Sequence, residues 1–75
     1  MTKSFRMANI DERLRIGERI RELRNEAGLT VRGLADLSDV SYQNITKIEN
    51  GKYNVSIDIL SKVTDALNAK IEIIK

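Results

Sequence analysis

The 75-residue chain has no cysteine, histidine, proline or tryptophan, and only one phenylalanine and two tyrosines. Without cysteine, no disulfide and no thiolate metal site can staple the fold. Without histidine, the commonest zinc ligand and the commonest general base are both missing. With no proline and four glycines, few breakers interrupt the chain, so several long stretches are free to be helical. No apolar run approaches the roughly 18 residues of a bilayer span. Residues 1–9 carry Lys3 and Arg6 but no apolar signal-peptide core. These absences predict one small cytoplasmic domain off the membrane, with no metal and no cofactor. Hydrophobic residues make up 41% of the chain, enough for a single core, and a core this small gains from a second subunit. The net charge of +2 is too small to point to a partner by itself.

What is present reads as four helices and a tail. Asn9 with Glu12 has capping-box form, so the first helix is expected from Ile10 to about Glu26. Ile16, Ile20, Leu23 and Ala27 form its apolar stripe, and Gly28 supplies the left-handed residue that ends it. Thr30 caps a second helix, Val31 to about Leu37, with Leu34 and Ala35 inward. Gly33 stands in its interior, where glycine costs up to about 1 kcal/mol against alanine. Ser38-Asp39-Val40 is expected to be a tight turn, because Asp tolerates the left-handed conformation. Ser41 caps a third helix, Tyr42 to about Asn50, closed by Gly51. Ser56 caps a fourth, with Ile57, Leu60, Val63 and Leu67 apolar and Asn68 as its left-handed stop. Lys70-Ile-Glu-Ile-Ile-Lys75 is β-rich and partly alternating, which predicts a short strand. The expected organisation is a flexible arm over 1–9, a helical domain over 10–68 and a strand over 69–75.

The informative feature is the pair of short helices joined by three or four residues, with a helix before and another after. On the third helix Ile45 and Ile48 are the only large aliphatic residues and define its buried side. At about 100° per residue, Gln43, Thr46, Lys47 and Asn50 then point away, with Tyr42, Asn44 and Glu49 on the flanks. Gln can pair with adenine N6 and N7, Thr can touch a thymine methyl, and Lys can reach guanine or phosphate. The start of the helix offers backbone N–H groups to a phosphate. The same residues also suit any solvated helix, so this face alone leaves DNA reading and plain solvation level. Between Arg13 and Arg24, five arginines stand against two glutamates, a run that on a helix is usually a solvated face.

The ordered set is more specific than its pieces. Ile16-Gly-Glu-Arg-Ile-Arg-Glu-Leu-Arg-Asn-Glu-Ala-Gly-Leu-Thr30, Leu34-Ala35, Val40-Ser-Tyr-Gln-Asn-Ile-Thr-Lys-Ile-Glu-Asn-Gly51 and Ser56-Ile-Asp-Ile-Leu-Ser-Lys-Val-Thr-Asp-Ala-Leu67 together strongly resemble the lambda-repressor/Cro-like (XRE) family. The resemblance covers roughly residues 12–68. It implies an all-α fold, a four-helix lambda-repressor-like DNA-binding domain, to which this chain adds the short C-terminal β-strand. The recognition helix, Tyr42–Asn50, would enter the major groove. Position by position, the resemblance implies base contacts by Ser41, Tyr42, Gln43, Thr46 and Lys47. It implies phosphate contacts by Asn50 and Lys52, and by the second helix where Thr30 caps it. Val31 stands where the family often has a phosphate-binding Gln, a contact for which Arg32 could partly substitute. Asp39 stands where a glycine is usual. The resemblance also puts Arg24 beside Glu49, in an internal ion pair.

The function implied is that of a sequence-specific transcriptional regulator, a repressor that binds a palindromic operator in double-stranded DNA as a homodimer. Antiparallel pairing of the terminal strand with its copy would form the dimer, with Ile59, Ile71, Ile73 and Ile74 at the interface. Short family members that end in a strand also resemble the antitoxins of toxin–antitoxin pairs, which adds a toxin protein as a possible partner. Lone phage or mobile-element repressors fit about equally well. The alternative is a protein–protein adaptor that keeps the fold without reading DNA. Its signature would be apolar or acidic residues where Gln43, Thr46 and Lys47 stand. No catalysis is expected, because the DNA-binding bundle that the chain resembles accounts for nearly all of it. An enzyme is the most distant reading: Glu18 and Glu22 are spaced i, i+4, but no His, Cys or third ligand converges with them. Phe5 and Arg6 raise the question of an arm that wraps DNA, against the plainer reading of a tail with no role.

Overall fold

The structure, a computed structural model, describes the backbone of residues 4–75 and the side chains of residues 11–75. Four helices follow one another: α1 (Ser4–Glu26), α2 (Val31–Ser38), α3 (Tyr42–Glu49) and α4 (Ile57–Ala66). The last three each start on a side-chain hydroxyl, as their sequences predict. Thr30 Oγ1 accepts from the Gly33 N–H at 2.9 Å, Ser41 Oγ from Asn44 at 3.1 Å and Ser56 Oγ from Ile59 at 3.1 Å. Each bond satisfies a first-turn N–H that the helix itself cannot. A Cβ on Gly33 would sit 3.3 Å from the Thr30 hydroxyl and 3.5 Å from Leu29 Cδ2, so glycine here leaves room for the cap.

All four helices end on one device. A left-handed residue follows the last turn: Gly28 (φ 72°), Asp39 (φ 59°), Gly51 (φ 71°) and Asn68 (φ 56°). The N–H of the next residue then bonds back to a carbonyl in the last turn: Leu29 to Arg24 at 3.0 Å, Val40 to Ala35 at 3.3 Å, Lys52 to Lys47 at 2.9 Å and Ala69 to Thr64 at 2.9 Å. Orphan carbonyls are thereby used up, and the chain reverses within two residues. Only three residues, Asp39, Val40 and Ser41, separate α2 from α3.

Ile20 of α1, Leu34 and Ala35 of α2, Val40 of the turn, Ile45 and Ile48 of α3, and Leu60 and Val63 of α4 form the core. Leu34, Ile45 and Val63 are fully enclosed. Ile16, Leu29, Val31, Tyr53, Val55 and Leu67 pack around it.

Three expectations change. The first helix begins at Ser4 rather than Ile10, so Asn9 lies within it and not at its cap. No proline or glycine precedes Asn9, and extending a helix backwards costs less than nucleating one. Phe5 and Arg6 lie outside the residues whose side chains are described, and so does the question of a DNA-wrapping arm. The second change is on α4: Ile57 is 66% exposed, and Ile59 is half-buried against the core. Side chains lean toward a helix's N-terminus, so Ile57, at the first position, overhangs the end of its helix. Third, no strand occurs among the described residues, and residues 70–75 carry no regular structure. A strand needs a partner backbone, and the rest of the chain is helix and turn.

Candidate nucleic-acid interface

The interface is built on α3, which is buried on one side by Ile45 and Ile48 and open on the other. Ser41, Tyr42, Gln43, Lys47, Asn50 and Lys52 are exposed, and Thr46 and Asn44 are half-buried. Gln43 and Lys47 are four residues apart and stack one above the other on the open face. Lys52 follows directly on the left-handed Gly51, and its own N–H is tied to the Lys47 carbonyl, which fixes the backbone that carries both lysines.

The far end of α3 is clamped to α1. Glu49 is 5% exposed, deeper than a flank position. Its carboxylate accepts from Arg24 Nε at 2.6 Å and from Arg24 Nη2 at 3.0 Å, a bidentate pair. The same guanidinium donates to the Leu29 carbonyl at 3.0 Å, which ties the α1–α2 turn to the clamp. These bonds to Glu49 push the Arg24 pKa above its ordinary value, so the guanidinium stays charged.

A second arginine, which sequence reasoning did not single out, completes this end. Arg21 Nη2 donates to the Glu49 carbonyl and to Asn50 Oδ1, each at 3.1 Å, and Arg21 Nε lies 3.5 Å from Glu49 Oε1. With Oδ1 accepting from Arg21, the N–H donors of the exposed Asn50 amide are what it has left to offer, the polarity a phosphate needs. The signal was the i, i+3 spacing of Arg21 and Arg24 on one helix face. Gly17 was also missed: a Cβ there would overlap the Ile48 carbonyl oxygen and lie 2.8 Å from that of Glu49. This glycine lets α1 run against the backbone of the last turn of α3. Of the five arginines in the basic run, Arg15 and Arg19 pair with Glu12 and Glu22 along α1, and Arg21 and Arg24 are spent on this clamp.

At the near end of α3, α2 and α3 enclose an open cleft of about 510 Å³ lined by Arg32, Asp36, Asp39, Ser41 and Tyr42 among others. The Arg32 guanidinium lies over the Tyr42 ring, 4.8 Å from its centroid. Thr30 is exposed at the start of α2, while Val31 is half-buried against the core. The residues assigned to base and phosphate contact thus fall in one sequence of surfaces: the start of α2, the cleft, the open face of α3, and its end. Ile59 faces the core instead, and Ile71, Ile73 and Ile74 are 41%, 98% and 81% exposed on the tail.

Two short helices at a three-residue turn, with the second buried on one side and polar on the other, define a helix-turn-helix domain. A helix-turn-helix family model matches residues 20–74. An uncharacterized HTH-type transcriptional regulator from Archaeoglobus fulgidus is 41% identical over 54 residues, 72% of this chain and 77% of that protein. The HTH-type transcriptional repressor RghR of Bacillus subtilis is 44% identical over 57 residues, 75% of this chain but 42% of that protein. Among solved structures, the restriction-modification controller protein C.AhdI from Aeromonas hydrophila superposes with a TM-score of 0.77 at 33% identity, covering 80% of this chain and 91% of that one. The clp gene regulator ClgR from C. glutamicum gives 0.75 at 36% identity, over 79% and 76% of the two chains. The chain belongs to the XRE-type helix-turn-helix family of transcriptional regulators.

Proposed function

We propose that the protein is a sequence-specific repressor that reads a palindromic operator in double-stranded DNA as a homodimer, with α3 in the major groove. The observation that carries this reading is the open face of α3. It presents Gln43, Thr46 and Lys47 on a helix whose opposite side is locked into the core and whose end is clamped to α1. A reading head must hold its side chains still, and this one is fixed along its buried side and at its C-terminal end. Gln43, Thr46 and Lys47 discriminate among base edges, with Ser41 at the helix start. Thr30, Arg32, Asn50 and Lys52 grip phosphates and set the register. Relatives named as repressors support repression as the outcome. An antitoxin would use the same DNA-binding mode and carry a toxin on another face. The adaptor alternative calls for apolar or acidic groups on the open face, where these three side chains stand.

The test compares two substitutions on a selected DNA site and its single-base variants, at two salt concentrations. Gln43→Ala is expected to cost about 1–3 kcal/mol per half-site on the best site and to relax preference at one base pair in each half. Lys52→Ala is expected to weaken all sequences alike and to lower the salt slope by about 2, since the dimer loses one phosphate contact in each half-site. If Gln43→Ala leaves every affinity unchanged, α3 is not the reading head.

A further inference from the structure

Tyr42 and Arg32 are the least explained residues of the interface. They come from different helices, and both are exposed. Asp36 stands one turn beyond Arg32 on α2, at the i, i+4 spacing that favours an ion pair, and Asp39 lines the same cleft. Among the described residues, however, no carboxylate lies within ion-pair distance of Arg32. Its guanidinium rests on the Tyr42 ring instead, 4.8 Å from the centroid. A guanidinium held over an aromatic face loses freedom, while the Arg32 N–H groups, none of them hydrogen-bonded among the described residues, stay available to an acceptor. An acidic partner would have consumed those donors.

We propose that Tyr42 is a positioning residue. Its ring face holds the Arg32 guanidinium at the α2–α3 cleft, ready for a DNA backbone phosphate, so Tyr42 contributes to affinity through Arg32 and reads no base. The inference rests on the DNA-binding reading above and extends it to a contact made across the two helices. It also accounts for Val31. That side chain is half-buried against the core, so beside the exposed Thr30 cap the neighbouring Arg32 is the charged side chain at the start of α2 that can reach a phosphate. The role needs a ring face and not a phenolic hydroxyl, which separates it from base reading by hydrogen bond.

The experiment has a stage without DNA and a stage with it. In the free protein, NMR should show the Arg32 side-chain protons shifted upfield by the Tyr42 ring current. The shift should persist in Tyr42→Phe and vanish in Tyr42→Leu, with chemical-shift dispersion confirming that both variants fold. Binding is then measured across a salt series to the duplex recovered by selection from a random pool, and to its single-base variants. Tyr42→Phe should match the wild type. Tyr42→Leu and Arg32→Ala should each lose affinity, the former by about 5- to 30-fold, the range of two exposed cation–π contacts, one in each half of the dimer. Both should lower the salt slope with the base preference intact, and the double variant should be no worse than Arg32→Ala alone. A Tyr42→Leu protein that keeps its salt slope but changes preference at one base pair would overturn the proposal, because Tyr42 would then be reading a base. So would additive losses in the double variant, or an Arg32 signal indifferent to the ring. If the wild type recovers no preferred duplex while the ring-current shift is present, the DNA-binding reading itself fails, and the role given to the stacked pair falls with it.

Discussion

At the residue scale, the contrast between Glu49 and Glu12 shows how burial decides the worth of an ion pair. Glu12 pairs with Arg15 at 2.6 Å, but both side chains are well over half exposed. Arg24 and Glu49 pair at the same distance with side chains 13% and 4% exposed. Removing one partner of the buried pair strands the other charge away from water. Arg24→Ala is therefore expected to destabilise the fold by about 3 kcal/mol, the lower end of the range for such pairs, because Arg21 stays close to Glu49. Arg15→Ala should leave the urea midpoint where it was. Equal midpoints for the two variants would show that the clamp is no stronger than a surface pair. The pairing of Arg24 with Glu49 was legible only through family resemblance, since nothing in the sequence spacing links residues 25 positions apart. Arg21 went unread for a related reason. Its hydrogen bonds go to a backbone carbonyl and an amide oxygen, groups that every stretch of sequence offers, and its carboxylate neighbour, Glu49, is the one already paired with Arg24.

At the scale of elements, the sequence was most legible where a local rule sufficed. Thr30, Ser41 and Ser56 cap the helices they were expected to cap, and Asp39 and Asn68 take the left-handed conformation. Each of these outcomes depends on a few adjacent residues. Gly17 is the opposite case: in sequence it is one mild helix breaker, and in space it is the contact that sets how closely α1 approaches α3. Gly17→Ala should destabilise the fold by about 1–3 kcal/mol, although alanine is the better helix former. A rise in thermal midpoint for this variant would mean that propensity outweighs the α1–α3 approach. Asp39 invites the reverse change. Asp39→Gly relieves a left-handed residue that carries a Cβ and should raise stability by up to about 1 kcal/mol. It also removes a negative charge from the cleft beside Arg32, so affinity for DNA should rise, most clearly at low salt. An unchanged or lower midpoint would indicate that Asp39 has a compensating role in the turn.

At the scale of the whole molecule, the open question lies in the tail. Ile73 and Ile74 are almost fully exposed, and beside them α1, α4 and the tail border a cleft of about 320 Å³ lined in part by Ile16, Leu23, Leu60 and Ile71. A period-2 pattern predicts a strand only if a partner strand exists, and a single copy of this chain supplies none. That is why residues 70–75 carry no strand in a single copy, while the helices, whose hydrogen bonds are internal, form without a partner. A second copy could provide the missing backbone, so truncation after Asn68 is expected to shift sedimentation from dimer to monomer. A truncated chain as dimeric as the full one would move the interface elsewhere.

The central claim is that α3 reads base sequence, and selection of bound duplexes from a random pool tests it most directly. Enrichment is expected of one inverted repeat whose half-site centres lie about one DNA turn, roughly 34 Å, apart, with the enrichment abolished or altered at one position in each half by Gln43→Ala. A pool that emerges without a preferred sequence, or with the same preferred sequence for both proteins, would contradict it.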